Sequence, residues 1–389
     1  MKLLFYSFII IFIFSPLKTL LSQAPAYNLH IRNQVIANPS NSMDFDIYVE
    51  HTNSPVMFEY AGGQYFIQFD SAIGNGGPFS LSILDSDLPL QLRPRNPSIA
   101  EVLNPPATIM RLAVNVFPGA GFGHKVKGSG DVGTLIARVR LTLLTGKFNC
   151  HAADFSLEWR NPPVIFFSTK LFAYFDGLNN DITTPETHFP KPGPGLIPPC
   201  TNLYLKVHML IEGSYVVSTN TLNRKEIITA FLRERAPPYI LRDTAVASLD
   251  SISGQALFVF NKAISGNYYV QFKHFNSIET WTKVSLNLQE QSLPPDTLLP
   301  AEYNFTLSDT TAYGNNLILK GTKYCFYSGD VTQDGFIDGT DMLPVDNDAN
   351  NFLTGSYLIT DLNGDDIVDG DDLLICDNNA FAYITSVFP

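Results

Sequence analysis

Two acidic segments near the C-terminus repeat one another at an interval of 31 residues. In the first, Asp330, Thr332, Asp334, Phe336, Asp338 and Asp341 stand at positions 1, 3, 5, 7, 9 and 12. In the second, Asp361, Asn363, Asp365, Ile367, Asp369 and Asp372 stand at the same positions. Both copies carry an apolar residue at position 8, Ile337 or Val368, and the match runs on through Leu343 and Leu374. This is the spacing by which a twelve-residue loop wraps Ca²⁺: side-chain oxygens at alternate positions, a main-chain carbonyl at position 7 and a bidentate carboxylate at 12. Four carboxylates gathered within a few Å repel strongly unless a cation sits among them. One ion takes each loop from about −4 to about −2, so two Ca²⁺ ions are expected, as a condition of folding. An acidic solvated tail, the competing reading, explains neither the duplication nor the apolar positions.

Two positions depart from the usual pattern. Thr332 offers a neutral hydroxyl or a water-bridged contact where Asp or Asn is common. Asp366 occupies position 6, where the sharp turn prefers Gly; Asp adopts the left-handed conformation at a cost of about 1 kcal/mol. The elements around the loops also differ from an ordinary EF-hand. Residues 323–327 before loop 1 read as a strand, and only the segments after Asp341 and Asp372 read as helices, with Pro344 expected in the first turn of its helix. A duplicated loop-helix unit of this kind, over residues 328–386, resembles the type I dockerin family. The resemblance implies docking to a cohesin-type protein domain, by which secreted proteins, often polysaccharide-degrading enzymes, are attached to scaffolds or the cell surface. It would place partner contacts on Gly339, Thr340, Asp346 and Asn347 in the first copy and on Gly370, Asp371, Asp377 and Asn378 in the second. Well-known dockerins carry a basic pair on that helix; Asp-Asn in both copies implies a different partner, with a face that is not acidic.

The chain that must position these loops has 389 residues and a net charge of −12. All 25 basic residues lie at or before Lys323, with 24 acidic ones, so that stretch is near neutral. The other 13 carboxylates are aspartates between Asp330 and Asp377, unaccompanied by Lys or Arg, and the acidity disfavours nucleic acid as a partner. At the other end, Lys2, an apolar run over residues 3–14 and the small residues Ser22 and Ala24 have the order of a secretory signal peptide, expected to span 1–24. Twelve apolar residues are too few to cross a bilayer, and no later stretch is apolar enough to do so. Export permits disulfides. Four cysteines, Cys150, Cys200, Cys325 and Cys376, allow three pairings; Cys200 with Cys325 is one candidate and isolated thiols are another.

Between these ends the pattern is short alternating runs separated by turn residues. Residues 43–50 alternate polar and apolar with period two, and similar runs follow at 64–70, 79–84, 109–117, 135–143, 155–159 and 171–175. With 27–36 they make about eight strands, an antiparallel sandwich of jelly-roll size over 25–186 that also resembles, more weakly, cohesin-like and carbohydrate-binding domains. Residues 187–200, rich in proline, are expected to form a semi-rigid linker. A second sandwich, immunoglobulin-like or transthyretin-like, is expected over 201–325, with 226–235 readable as strand or helix, and the dockerin-like unit over 326–389. The expected fold class is mainly β: two β-sandwich domains followed by a small α-helical calcium-binding module. The three-part order resembles multidomain surface proteins of Bacteroidota-type bacteria.

Other candidates for chemistry are weaker. Residues 119–123 are glycine-rich but lack the Lys and Ser/Thr of a phosphate loop, and no nucleophile elbow or His-Glu-x-x-His occurs. Glu158 with Asp176 is a carboxylate pair of the kind a glycosidase needs, though nothing in their spacing promotes them. Tyr60, Tyr65, Trp159, Trp281 and Tyr313 could stack on sugar rings, with core packing the default. The sequence therefore points to a secreted binding protein docked through a calcium-dependent module. A polysaccharide-degrading enzyme with its site in the first sandwich and a structural adhesin are the alternatives.

Overall fold

The computed structural model describes residues 23–389 except 38, 104–105, 115–116, 129, 131, 152–154, 164–166, 191–197 and 293–299. The expected leader, apart from its last two residues, and half of the proline-rich linker, residues 191–197, lie outside the described residues.

Alternation of apolar and polar side chains builds the first sandwich. Its strands are β1 (Tyr27–Ile36), β2 (Ser42–His51), β3 (Glu59–Phe69), β4 (Phe79–Asp85), β5 (Arg95–Leu103), β6 (Pro106–Ala113), β7 (His124–Lys125), β8 (Thr134–Leu143), β9 (Glu158–Trp159), β10 (Lys170–Phe175), β11 (Leu178–Asp181) and β12 (His188–Phe189). One sheet runs β12-β1-β2-β8-β4 and the other β11-β10-β3-β6-β5, with β7 and β9 also on β3. Met43, Phe45, Ile47 and Val49 of β2 face inward with Ile136, Val139 and Leu141 nearby in the same core, as the period-two pattern requires. Because β12 pairs in parallel with β1, this sheet reaches Phe189, past the boundary expected at 186.

The second sandwich is built from β13 (Thr201–His208), β14 (Tyr215–Val216), β15 (Thr221–Leu222), β16 (Glu226–Glu234), β17 (Leu241–Leu249), β18 (Gln255–Phe260), β19 (Gly266–His274), β20 (Ser277–Trp281), β21 (Leu286–Leu288), β22 (Gln291–Ser292), β23 (Ala301–Asn304) and the hairpin β24 (Ile318–Lys320) and β25 (Lys323–Cys325). One sheet runs β18-β13-β22 with β23 parallel to β13; the other runs β17-β16-β19-β20 with β21 on β19. The 226–235 segment is strand: Ile228, Ala230 and Leu232 are fully buried at period two, and β16 pairs with both β17 and β19.

Two helices complete the chain, α1 (Gly339–Asn350) and α2 (Gly370–Phe381), each opening at the end of an acidic loop. Their core of Val331, Ile337, Val345, Leu362 and Cys376 also contains Ile278 of β20, so the helical unit and the second sandwich share buried surface. Pro344 lies inside α1, beyond the first turn expected for it, because the helix begins at Gly339. Its missing N–H leaves the carbonyl of Thr340, an exposed residue that water can reach.

The cysteines differ from the pairing considered above. Cys150 is bonded to Cys200, not Cys200 to Cys325. The bridge ties the segment after β8 to the start of β13 and so staples the two sandwiches at their junction. Cys325 and Cys376 are buried in separate cores, where burial pushes each thiol up to about 12 and leaves it inert.

Candidate calcium site and docking face

In loop 1 the positions that would hold metal also build the helix start. Asp338, position 9, is the N-cap of α1 and accepts from the Thr340 N–H at 2.8 Å. Asp341, position 12, is the third helical residue, and its Oδ2 accepts from the Asp338 N–H at 3.0 Å. The loop and the helix therefore form together through a capping box. Asp341 Oδ1 accepts from both the amide and the hydroxyl of Thr332, at 2.9 Å each, which is how the departure at position 3 is absorbed. The Phe336 N–H donates to Asp334 Oδ1 at 3.0 Å. Phe336 also bridges Thr385 in antiparallel fashion through Ile337 N–H and Gly335 C=O, so its own carbonyl turns away from that pairing.

Carboxylate oxygens of Asp330, Asp334 and Asp341 lie within 4.8 Å of one another. Asp330 is 2% exposed, and its Oδ1 has no hydrogen-bond partner. Burial, followed by the charges of Asp341 and Asp334, pushes its carboxyl up to about 6. A buried, unpartnered carboxylate oxygen is costly unless a cation meets it. The all-oxygen donor set suits a hard ion such as Ca²⁺, and Asp330, Thr332, Asp334, Phe336 through its carbonyl, Asp338 and Asp341 are the residues that would hold it.

Loop 2 repeats the scaffold. Asp369 caps α2 and accepts from the Asp371 N–H at 2.9 Å. Asp372, fully buried and raised above the usual carboxylate range by that burial, accepts from Leu362 N–H, Asn363 N–H and Asp369 N–H. Asp366 takes the left-handed conformation expected at position 6, φ 69°, where loop 1 has Gly335 at φ 87°. The Ile367 N–H points inward to Asp365 Oδ1 at 3.0 Å, and Asn363 Oδ1 accepts from the Asp365 N–H at 2.9 Å. Asp361 differs from its counterpart Asp330. Its Oδ1 accepts from Gly364 N–H at 2.7 Å, while its Oδ2 accepts from Asp366 N–H at 3.2 Å and from Arg224 Nη1 at 2.7 Å.

The eight residues that the family resemblance places on a partner face are all exposed: Gly339, Thr340, Asp346 and Asn347 on α1, and Gly370, Asp371, Asp377 and Asn378 on α2. Gly339 with Asp346, Thr340 with Asn347, Gly370 with Asp377 and Asp371 with Asn378 are each seven residues apart, about two helical turns, which puts each set along one side of its helix. Between them stand Leu343 and Leu374, 62% and 56% exposed, whereas the other matched apolar pair, Ile337 and Val368, is buried. The repeat thus specifies a core and a second, outward stripe on each helix.

The opposite side of the unit is seated on the second sandwich. Asn276 Nδ2 donates to the carbonyls of Ile359 and Asp361, Asn223 Nδ2 to the Asn363 carbonyl, and Asn379 Nδ2 to Glu212 Oε2 and the Ser328 carbonyl. Arg224 stacks its guanidinium 4.8 Å from the Tyr357 ring centroid. Gly213 admits this approach: a Cβ there would stand 1.9 Å from the Leu362 carbonyl oxygen.

The other sequence candidates are not brought together as sites. Tyr60, Tyr65, Trp159 and Trp281 are buried, Tyr60 and Tyr65 sharing a hydroxyl hydrogen bond of 2.8 Å, so these four cannot stack on a sugar. Tyr313 is half-buried. Glu158 is exposed and bonded to Gln68, and Asp176 sits exposed at the β10–β11 turn. Arg224, Asn276 and Glu212 carried no sequence signal, because their partners lie far along the chain.

No family model and no curated protein matches the chain. Among solved structures, a type II cohesin–X–dockerin complex from Acetivibrio cellulolyticus is similar at 15% identity, covering 46% of this chain and 99% of that one, with TM-score 0.27. Two domains of the major pilin SpaD from Corynebacterium diphtheriae match at 8% identity over 72% of this chain and 97% of that one, with TM-score 0.22. The T6 backbone pilin of Streptococcus pyogenes matches at 9% over 79% and 61%, with TM-score 0.19. Identities and TM-scores this low decide nothing about what this chain binds.

Proposed function

We propose that this protein is an exported modular binding protein whose C-terminal loop-helix pair is a calcium-dependent docking module of dockerin type, holding the two sandwiches on a cohesin-type partner or a surface assembly. The observation that carries this reading is the symmetry of α1 and α2: both copies bury the same ligand-bearing side and turn the same positions outward, Leu343 with Asp346 and Asn347, Leu374 with Asp377 and Asn378. Asp330 supplies the calcium dependence, since a buried carboxylate oxygen without a donor calls for a cation. Export is supported by the Cys150–Cys200 bridge, which persists in oxidising compartments. Among the described residues no helix is long and apolar enough to cross a membrane.

The test is retention of the leader-free chain on a panel of immobilised cohesin-type domains, with calcium and with chelator. Retention in calcium that chelator reverses is expected. A calcium-loaded chain retained by none of them would overturn the docking half of the proposal, and retention indifferent to chelator would overturn its calcium dependence.

A further inference from the structure

The two loops, alike in the spacing of their carboxylates, differ in a contact supplied to loop 2 from outside it. Arg224, in the turn between β15 and β16, is 12% exposed in its side chain and donates from Nη1 to Asp361 Oδ2 at 2.7 Å and from Nε to Glu226 Oε1 at 3.0 Å. Glu226 is itself 1% exposed and hydrogen-bonded to His274 at 3.1 Å. Burial opposes ionisation of Glu226, but His274 and Arg224 together hold its carboxyl below the usual range, so Arg224 is anchored from behind. Tyr357 flanks the guanidinium plane, and its hydroxyl donates to the Lys225 carbonyl at 2.9 Å. The guanidinium thus reaches the position-1 carboxylate of loop 2 from the sandwich, already fixed in place.

The effect shows in the carboxylates. Asp330 keeps one oxygen without a donor, while both oxygens of Asp361 are engaged. Oxygens of three aspartates converge within 4.8 Å in loop 1; among the described residues no such convergence of three is found in loop 2. A fixed positive charge on a ligand carboxylate offsets the repulsion that a metal ion would otherwise relieve, and it repels an incoming divalent ion.

We propose that Arg224 is the resident cation of loop 2, so that calcium fills loop 1 first and enters loop 2 only against the contact that seats the module on the second sandwich. This rests on the calcium-dependent reading above and adds that the two loops have divided their roles, loop 1 as the ion site and loop 2 as the latch. Calcium at high activity would then loosen the seat of the module, coupling ion concentration to how the docking face is carried.

Calorimetric titration of calcium into the chelator-stripped, leader-free chain tests it. The unaltered chain should take up calcium in two steps at least about tenfold apart in affinity, and Asp341→Asn should abolish the tighter one. Arg224→Gln should tighten the weaker step by about tenfold and leave the tighter one unchanged, while Arg224→Lys, which keeps the charge, should leave both as they are. Two steps of equal affinity in the unaltered chain would overturn the inference without any variant having to fold. So would a weaker second step in Arg224→Gln, because Arg224 would then be orienting Asp361 for the ion. No uptake by the unaltered chain or by Arg224→Gln would instead overturn the calcium-dependent reading itself.

Discussion

Asp330→Asn should stabilise the calcium-free chain and lose that advantage in calcium. In the calcium-free chain the Asp330 carboxyl is pushed from 3.8 to about 6, burial first and the charges of Asp341 and Asp334 next. At about 1.36 kcal/mol per tenfold change in proton affinity, holding it ionised at neutral pH costs about 3 kcal/mol. The folded-state value is raised, so the proton-linked stability is fully present below 3.8 and is lost as pH rises through about 6. An asparagine at the same place keeps an acceptor oxygen for the loop amides, carries no charge, and turns an amide donor toward the oxygens of Asp334 and Asp341. In chelator at pH 7, Asp330→Asn should therefore be more stable than the parent by up to about 3 kcal/mol, the difference vanishing near pH 4. In calcium at a hundred times the dissociation constant the parent gains about 2.7 kcal/mol that the variant cannot, so the advantage is lost. Urea unfolding at pH 4, 5 and 7, with chelator and with calcium, measures each term. Equal destabilisation of Asp330→Asn under all conditions would refute the reasoning, because Asp330 would then be an ordinary hydrogen-bonded core residue.

Further expectations concern the seat, the staple and the face. Gly213→Ala places a Cβ against the Leu362 carbonyl, backbone against backbone, so amide exchange at Leu362 and Asn379 should quicken by tenfold or more while the first sandwich is unaffected; unchanged exchange would mean the approach is not needed. Reducing Cys150–Cys200 opens a loop of 50 residues, which by chain entropy is worth about 4 kcal/mol, and should lower the urea midpoint measurably; an unmoved midpoint contradicts the staple. Leu343→Asp with Leu374→Asp should abolish calcium-dependent retention on the partner while changing stability by less than about 0.5 kcal/mol per site, as exposed positions do; full retention would place the face elsewhere.

Strands whose sides have different jobs were legible in the sequence. In β2, Met43, Phe45, Ile47 and Val49 mark the core side, and Asp44 pairs with Arg140 across the other face. The strand β5 is not legible in the sequence because Arg95, Asn96, Pro97 and Ser98 break any alternation; the strand lies at a sheet edge, where a proline costs no ladder bond on its open side. The short run 226–235 offered both periods, and tertiary pairing of β16 on two sides chose the strand. The ligand positions were legible because a loop that wraps an ion must place its donors at fixed local spacing. Arg224 was not, since its salt bridge to Asp361 spans 137 residues and depends on two separate units meeting. The same holds for Cys150 with Cys200, which are brought together only by the junction of the sandwiches.

Calorimetry of calcium binding by the chelator-stripped, leader-free chain decides whether the C-terminal unit is an ion-dependent module. Uptake with a saturable tight step that Asp341→Asn removes is expected, accompanied by a rise in thermal stability. A flat titration, with unfolding unchanged between calcium and chelator, would contradict it.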